Sequence, residues 1–112
     1  MNEILGRRTL RDKDYVFRQG EPGSSAFILQ TGTVEIVIMT DNGEKVLAEI
    51  GQGGIFGEMA LIDDQPRMAS ARVKGTATIV TVTKQMYEQK LKKTDPFIRA
   101  LLRIVVETAR SR

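Results

Sequence analysis

The sequence predicts a mainly β domain, a sandwich or barrel, followed by two C-terminal helices. Three observations predict it. Up to residue 83, short β-branched and aromatic runs are separated by glycine-containing turns, the spacing of small all-β folds. From Lys84 the apolar period becomes helical. The 112 residues, 41% hydrophobic and 28% charged, are enough for one domain with its own core and no disulfide, since Cys is absent. The expected division is a β-roll over 1–83 and helices over 84–112.

Asp14-Tyr15-Val16-Phe17-Arg18 reads as a strand ending at the turn cluster Gly20-Glu21-Pro22-Gly23. Ser25–Thr31 is apolar in its middle, Ala26-Phe27-Ile28-Leu29, and stops at Gly32. Thr33–Thr40 alternates, with Val34, Ile36 and Ile38 on one face and Glu35, Val37 and Met39 on the other. Asp41-Asn42-Gly43-Glu44 is a hairpin turn, because Asn and Gly accept positive φ, and Lys45–Ile50 returns from it. Ala69–Lys74 and Thr76–Thr83 form a further pair around Gly75. Lys84–Lys93 is a short polar helix carrying Met86, Tyr87 and Leu91. Asp95 caps a second helix that starts at Pro96 and runs to about Arg110. Phe97, Leu101, Ile104 and Val105 line one stripe of it, and Ile98, Leu102 and Val106 an adjacent one. That arc is wider than packing on one surface needs.

Residues 51–71 carry the chemistry. Four glycines in the seven residues Gly51–Gly57 allow tight turns and close approach to a ligand. Glu58-Met59-Ala60-Leu61-Ile62 then reads as one helical turn, whose first N–H groups favour anions. Arg67 opens the next strand with a forked donor set that suits phosphate. Glu58 would repel a phosphate but accepts a hydrogen bond from a hydroxyl of the same ligand. Together these describe a sugar phosphate with a free hydroxyl. The plainer alternative is a glycine-rich turn with a surface Glu58–Arg67 pair.

Gly57-Glu58-Met59-Ala60-Leu61, five spacer residues, then Arg67-Met68-Ala69-Ser70 resembles the phosphate-binding cassette of cyclic nucleotide-binding domains. Phe17, Gly20-Glu21, Phe27-Ile28-Leu29, Gly32 and Val34 also sit at the family's apolar and turn positions, so the resemblance spans roughly 11–110. It implies an eight-stranded jelly-roll β-sandwich with a short phosphate-binding helix and two C-terminal helices. It implies that Arg67 pairs with the exocyclic phosphate oxygens and Glu58 takes the 2′-OH. The N–H groups of Ala60 and Met68 would reach the phosphate, Gly57 would let the backbone close in, and Met59 and Ala69 would complete the cassette. Ile36 and Met68 would line the base, although Ile36 also reads as plain core. Ser70 reads equally as a ligand contact or a structural hydroxyl. Two positions depart from the family's pattern: Met68 replaces the usual Ala, Ser or Thr, and Phe27 stands where Tyr is common.

These readings favour a regulatory module that binds cyclic AMP, with cyclic GMP as the alternative, and moves its C-terminal helices in response. Met68 lacks the hydroxyl that cyclic-GMP-selective members place after the Arg. A degenerate member that binds a protein instead is the main competitor. An enzyme is disfavoured, because there is no His or Cys for triads or for the metal ligands of a cupin-type site. No metal or cofactor is expected. Residues 1–83 carry 9 Lys/Arg against 11 Asp/Glu, and residues 84–112 carry 8 against 3, so the basic surplus lies in the tail. Its helix offers Arg99, Arg103 and Arg110 but no Asn or Gln for base reading, which argues against nucleic acid. No apolar run approaches the ~20 residues that span a bilayer, and Met1–Arg8 lacks a leader's apolar region. A cytoplasmic protein is expected, with its output domain absent, on another chain or in a longer parent. The second helix serves as a lid or as a homodimer interface.

Overall fold

The described residues form six strands, one 3-10 turn and two helices: β1 Arg7–Leu10, β2 Tyr15–Phe17, β3 Ala26–Thr40, β4 Gly43–Ile50, β5 Ile55–Phe56, the turn Glu58–Leu61, β6 Ser70–Val82, α1 Lys84–Leu91 and α2 Pro96–Arg110. The computed structural model describes residues 6–111, so most of the N-terminal stretch read for a leader lies outside the described residues. No described helix is long and apolar enough to cross a membrane.

β3 and β6 are long because they serve two sheets. The second half of β3 pairs with β4 and with the first half of β6, whose other neighbour is β2. The first half of β3 pairs with β5 and with the second half of β6, whose other neighbour is β1. Counted as halves, two sets of four strand segments give the jelly-roll. The glycines expected to end strands are instead bends within them. Thr31 pairs with Thr78 but Thr33 with Lys74, so three residues of β6 face Gly32 alone, and Gly32 and Gly75 both have positive φ. β1 and β5 were not expected, and the Asp14–Arg18 strand shrinks to Tyr15–Phe17.

The core lies between the sheets. Leu29, Val34, Ala71, Val73, Ala77 and Ile79 are sealed from solvent, with the stacked rings of Phe27 and Phe56 beside them. Val34 and Ile36 face this core as the alternation requires. Val37 is also buried, but on the outer face beside Tyr15 and Gln19 rather than in the core. Nearby, Arg72 sits between Glu35 and Glu44 at 3.1 and 2.7 Å.

The helices sit more lightly. Thr83 caps α1 by accepting from the Met86 N–H, and Asp95 caps α2 by accepting from the Phe97 N–H. No residue of α1 is buried, and on α2 only Val106 is.

Candidate functional site

A cavity of about 270 Å³ opens where β3, β4, β5 and the segment 57–69 meet the end of α2. Its position follows from the local chain path. Phe56 is drawn into the core by its pairing with Phe27. Gly57 then turns the chain with φ 73°, which places Glu58 at the start of the 3-10 turn. A Cβ at Gly57 would stand 3.0 Å from both Arg67 Nη1 and the Phe17 ring, so the position needs glycine for conformation and for space. The turn is 3-10 rather than α, with the Ala60 N–H reaching the Gly57 carbonyl at 3.3 Å.

Arg67 forms one wall. Its side chain is buried, and it lies in the irregular segment before β6 rather than opening that strand. Nη1 donates to the Gly57 carbonyl at 3.1 Å and Nη2 to the Ser25 carbonyl at 2.8 Å. The guanidinium lies 4.1 Å from the Phe17 ring centre. Its Nε is buried without a partner. Among the described residues Arg67 makes no ion pair, so the surface Glu58–Arg67 pair does not form. Burial lowers its pKa, the positive charge of Arg110 adds to this, and Glu21 opposes it.

The turn cluster 20–23 proves to be part of this construction. The Arg67 N–H donates to the Glu21 carbonyl at 2.9 Å, and the Gly20 N–H to the Arg67 carbonyl at 2.8 Å. A Cβ on Gly23 would lie 2.6 Å from Arg67 Nε, so the missing side chain there makes room for the guanidinium.

Gly57, Glu58, Met59, Ala60, Arg67, Met68, Ala69 and Ile36 all line the cavity. Ser70 does not. Its Oγ accepts from the Gln19 N–H at 2.8 Å and borders the depression on the outer face.

Residues 7–94 match the sequence profile of the cyclic nucleotide-binding domain. The chain belongs to the cyclic nucleotide-binding domain family. A cAMP-dependent protein kinase regulatory subunit from Blastocladiella emersonii is 35% identical over 81 residues, which are 71% of this chain and 20% of that protein. The cAMP-bound structure of the EAL enzyme Bd1971 superposes with a TM-score of 0.87 at 34% identity, covering 95% of this chain and 29% of that one. Its cGMP-bound form gives 0.87 at 33% identity, covering 94% and 28%. The chain thus spans about a fifth to under a third of these relatives.

Within this cyclic nucleotide-binding domain Phe17, Leu47, Ile50, Ile55, Phe56 and Arg110 also line the cavity, none of them expected as a ligand contact, and two of these bear most on its mouth and its charge. Leu47 is the extra residue of a bulge: Ile36 pairs with Ala48 and Val37 with Val46, leaving Leu47 unpaired at the cavity mouth. Arg110, read only as part of a basic helix, brings a second guanidinium to the cavity from α2. No sequence signal tied it to the cassette, because its partner Asp63 lies 47 residues away.

Proposed function

We propose that this cavity binds a cyclic nucleotide, cyclic AMP in preference to cyclic GMP, and that the domain passes occupancy to an effector through its C-terminal helices. The observation that carries the reading is Arg67. A buried guanidinium whose hydrogen bonds, among the described residues, go to carbonyls is oriented but not neutralised, and its burial makes the charged form costly until an anion pairs with it. A ring phosphate monoanion meets that need beside an apolar wall. Glu58, exposed at the rim, accepts the 2′-OH, and Ile36 and Met68 face the base. Met68 offers guanine no hydroxyl, so the amino edge of cyclic GMP goes unmatched at about 1–3 kcal/mol. The relatives support the ligand class: one is a cAMP-dependent kinase subunit, and Bd1971 has been solved with either nucleotide.

Calorimetric titration with cyclic AMP, cyclic GMP and 5′-AMP tests this, once the purified protein is shown to carry no nucleotide. Saturating cyclic AMP is expected to raise the melting temperature by about 10–20 °C, from ~2.7 kcal/mol at 100 times Kd and about 4–8 °C per kcal/mol. Cyclic GMP is expected to give less and 5′-AMP little. A larger shift with cyclic GMP overturns the selectivity. No shift with either cyclic nucleotide favours the protein-binding alternative.

The same reading gives α2 an interface role. Phe97, Leu101, Ile104 and Val105 are exposed along it, and this uncharged stripe suits a second copy of the chain or the effector. Sedimentation equilibrium over a range of concentrations, with Ile104→Glu as the control, distinguishes the two.

A further inference from the structure

We propose that Arg110 makes the anion site a two-arginine site, with Asp63 as its positioning residue, so that the end of α2 closes on the cavity by charge as well as by apolar contact. This rests on the cyclic nucleotide reading of the cavity. Arg110 donates through Nε and Nη2 to the two oxygens of Asp63, at 2.5 and 3.0 Å. Both side chains of the pair are about 85% buried, 14% and 15% exposed, so it is not a loose surface contact. The remaining nitrogen, Nη1, donates to the Pro66 carbonyl at 3.0 Å. Pro66 directly precedes Arg67, and Asp63 belongs to the same irregular segment. One side chain of α2 therefore grips the segment that carries Arg67 at two points, Asp63 and Pro66, and also lines the cavity.

The placement has a mechanical consequence. α2 buries only Val106, so the clamp at Arg110 is a principal fixing of its C-terminal end. Asp63 balances the Arg110 charge while leaving the guanidinium beside the cavity. An anion at Arg67 meets one cation, unpaired among the described residues and fixed in the roll, and, from the helix, the positive end of the Arg110–Asp63 pair. Shifting α2 removes the latter, so ligand binding and helix position are linked through a charge.

The test compares wild type, Arg110→Gln, Arg110→Lys, Asp63→Asn and the Arg110→Gln/Asp63→Asn double variant, with far-UV circular dichroism verifying that each is folded. Hydrogen exchange over 104–111 is read without nucleotide, and the Kd for cyclic AMP is read at low and high salt. Arg110→Gln and Asp63→Asn are each expected to speed exchange about tenfold, with the double variant no faster, as for two ends of one interaction. Arg110→Gln is expected to weaken cyclic AMP by about tenfold and to flatten the salt dependence, and Arg110→Lys, which keeps the cation, to recover much of that loss. Unchanged exchange in both single variants overturns the clamp. Equal affinity losses for Lys and Gln overturn the second cation and leave Arg110 a structural tie only. Wild-type protein that binds no cyclic nucleotide overturns the cavity's reading and the two-arginine site with it, while the exchange measurements still decide the clamp.

Discussion

The β-roll and the two C-terminal helices are held by different forces. The roll is closed by apolar residues with no solvent exposure, Leu29, Val34, Ala71 and Ile79 among them. The helices bury almost nothing and are tied down by charge, Lys84 to Asp64 at 2.6 Å and Arg110 to Asp63. Apolar burial is not screened by salt, whereas a pair with an exposed partner, such as Lys84–Asp64, is screened within about 10 Å at 0.1 M salt and the buried Arg110–Asp63 pair much less. The difference assigns the two regions their parts. The roll supplies Arg67 and the carbonyls that orient it, and the helices are joined to it by charged groups.

The largest expected effect tests whether the roll alone holds the ligand's counter-charge. Truncating one partner of a buried charge pair costs about 2–5 kcal/mol, so Arg67→Ala is expected to weaken cyclic AMP on the order of 30- to 3000-fold. The variant should still fold, because the carbonyls of Gly57 and Ser25 lose only one donor each. Calorimetry and a melting curve measure both, and an unchanged Kd breaks the assignment of Arg67.

Stability separates the regions directly. Ile79→Ala is expected to cost about 2–5 kcal/mol in urea unfolding. Leu101→Ala, at a half-exposed helix position, is expected to change dilute protein by less than about 0.5 kcal/mol. Similar losses for the two would erase the contrast.

Glu58 sharpens it within the site. A hydrogen bond to a charged acceptor contributes roughly 1.5–3 kcal/mol, so Glu58→Ala should weaken cyclic AMP by that amount but its 2′-deoxy analogue hardly at all. Equal losses for both ligands would give Glu58 another role.

The smallest effect belongs to the helices. The ammonium of Lys84, through its hydrogen bond and then its charge, holds the Asp64 carboxyl below the ordinary aspartate range. A depressed carboxyl adds stability above its unfolded pKa of about 3.9, and that stability is lost as pH falls through the folded value. The protection factors of the α1 amides, corrected for the slowing of intrinsic exchange in acid, should therefore fall as the pH drops below about 4, and Asp64→Asn should remove the pH step. A step that survives in Asp64→Asn would place the titrating group elsewhere.

What the sequence made legible follows from the range of each interaction. α2 runs Pro96–Arg110 as expected, because its cap and its proline are adjacent residues. The hairpin at Asp41–Asn42 was legible for the same reason. Eight of the nine expected ligand residues meet at one cavity because seven of them lie in a single stretch of the chain. Ser70 departs because its side chain points to the other face of β6, a matter of register with Val37. β1 and β5 exist through pairing with distant strands, and short segments such as Ile55–Phe56 carry no period of their own. Gly32 signalled a break in the chain's path, but whether a strand ends or bends there is decided by β6.

The bulge at Leu47 has a consequence for how such a cavity diversifies. On either side of it the pairs Ile36–Ala48 and Val37–Val46 keep their own register. Removing this one residue would leave the hairpin and the rest of β4 where they are, while taking a leucine from the mouth. The breadth of the opening is thus adjustable by chain length at a single point, without redesigning the sheet.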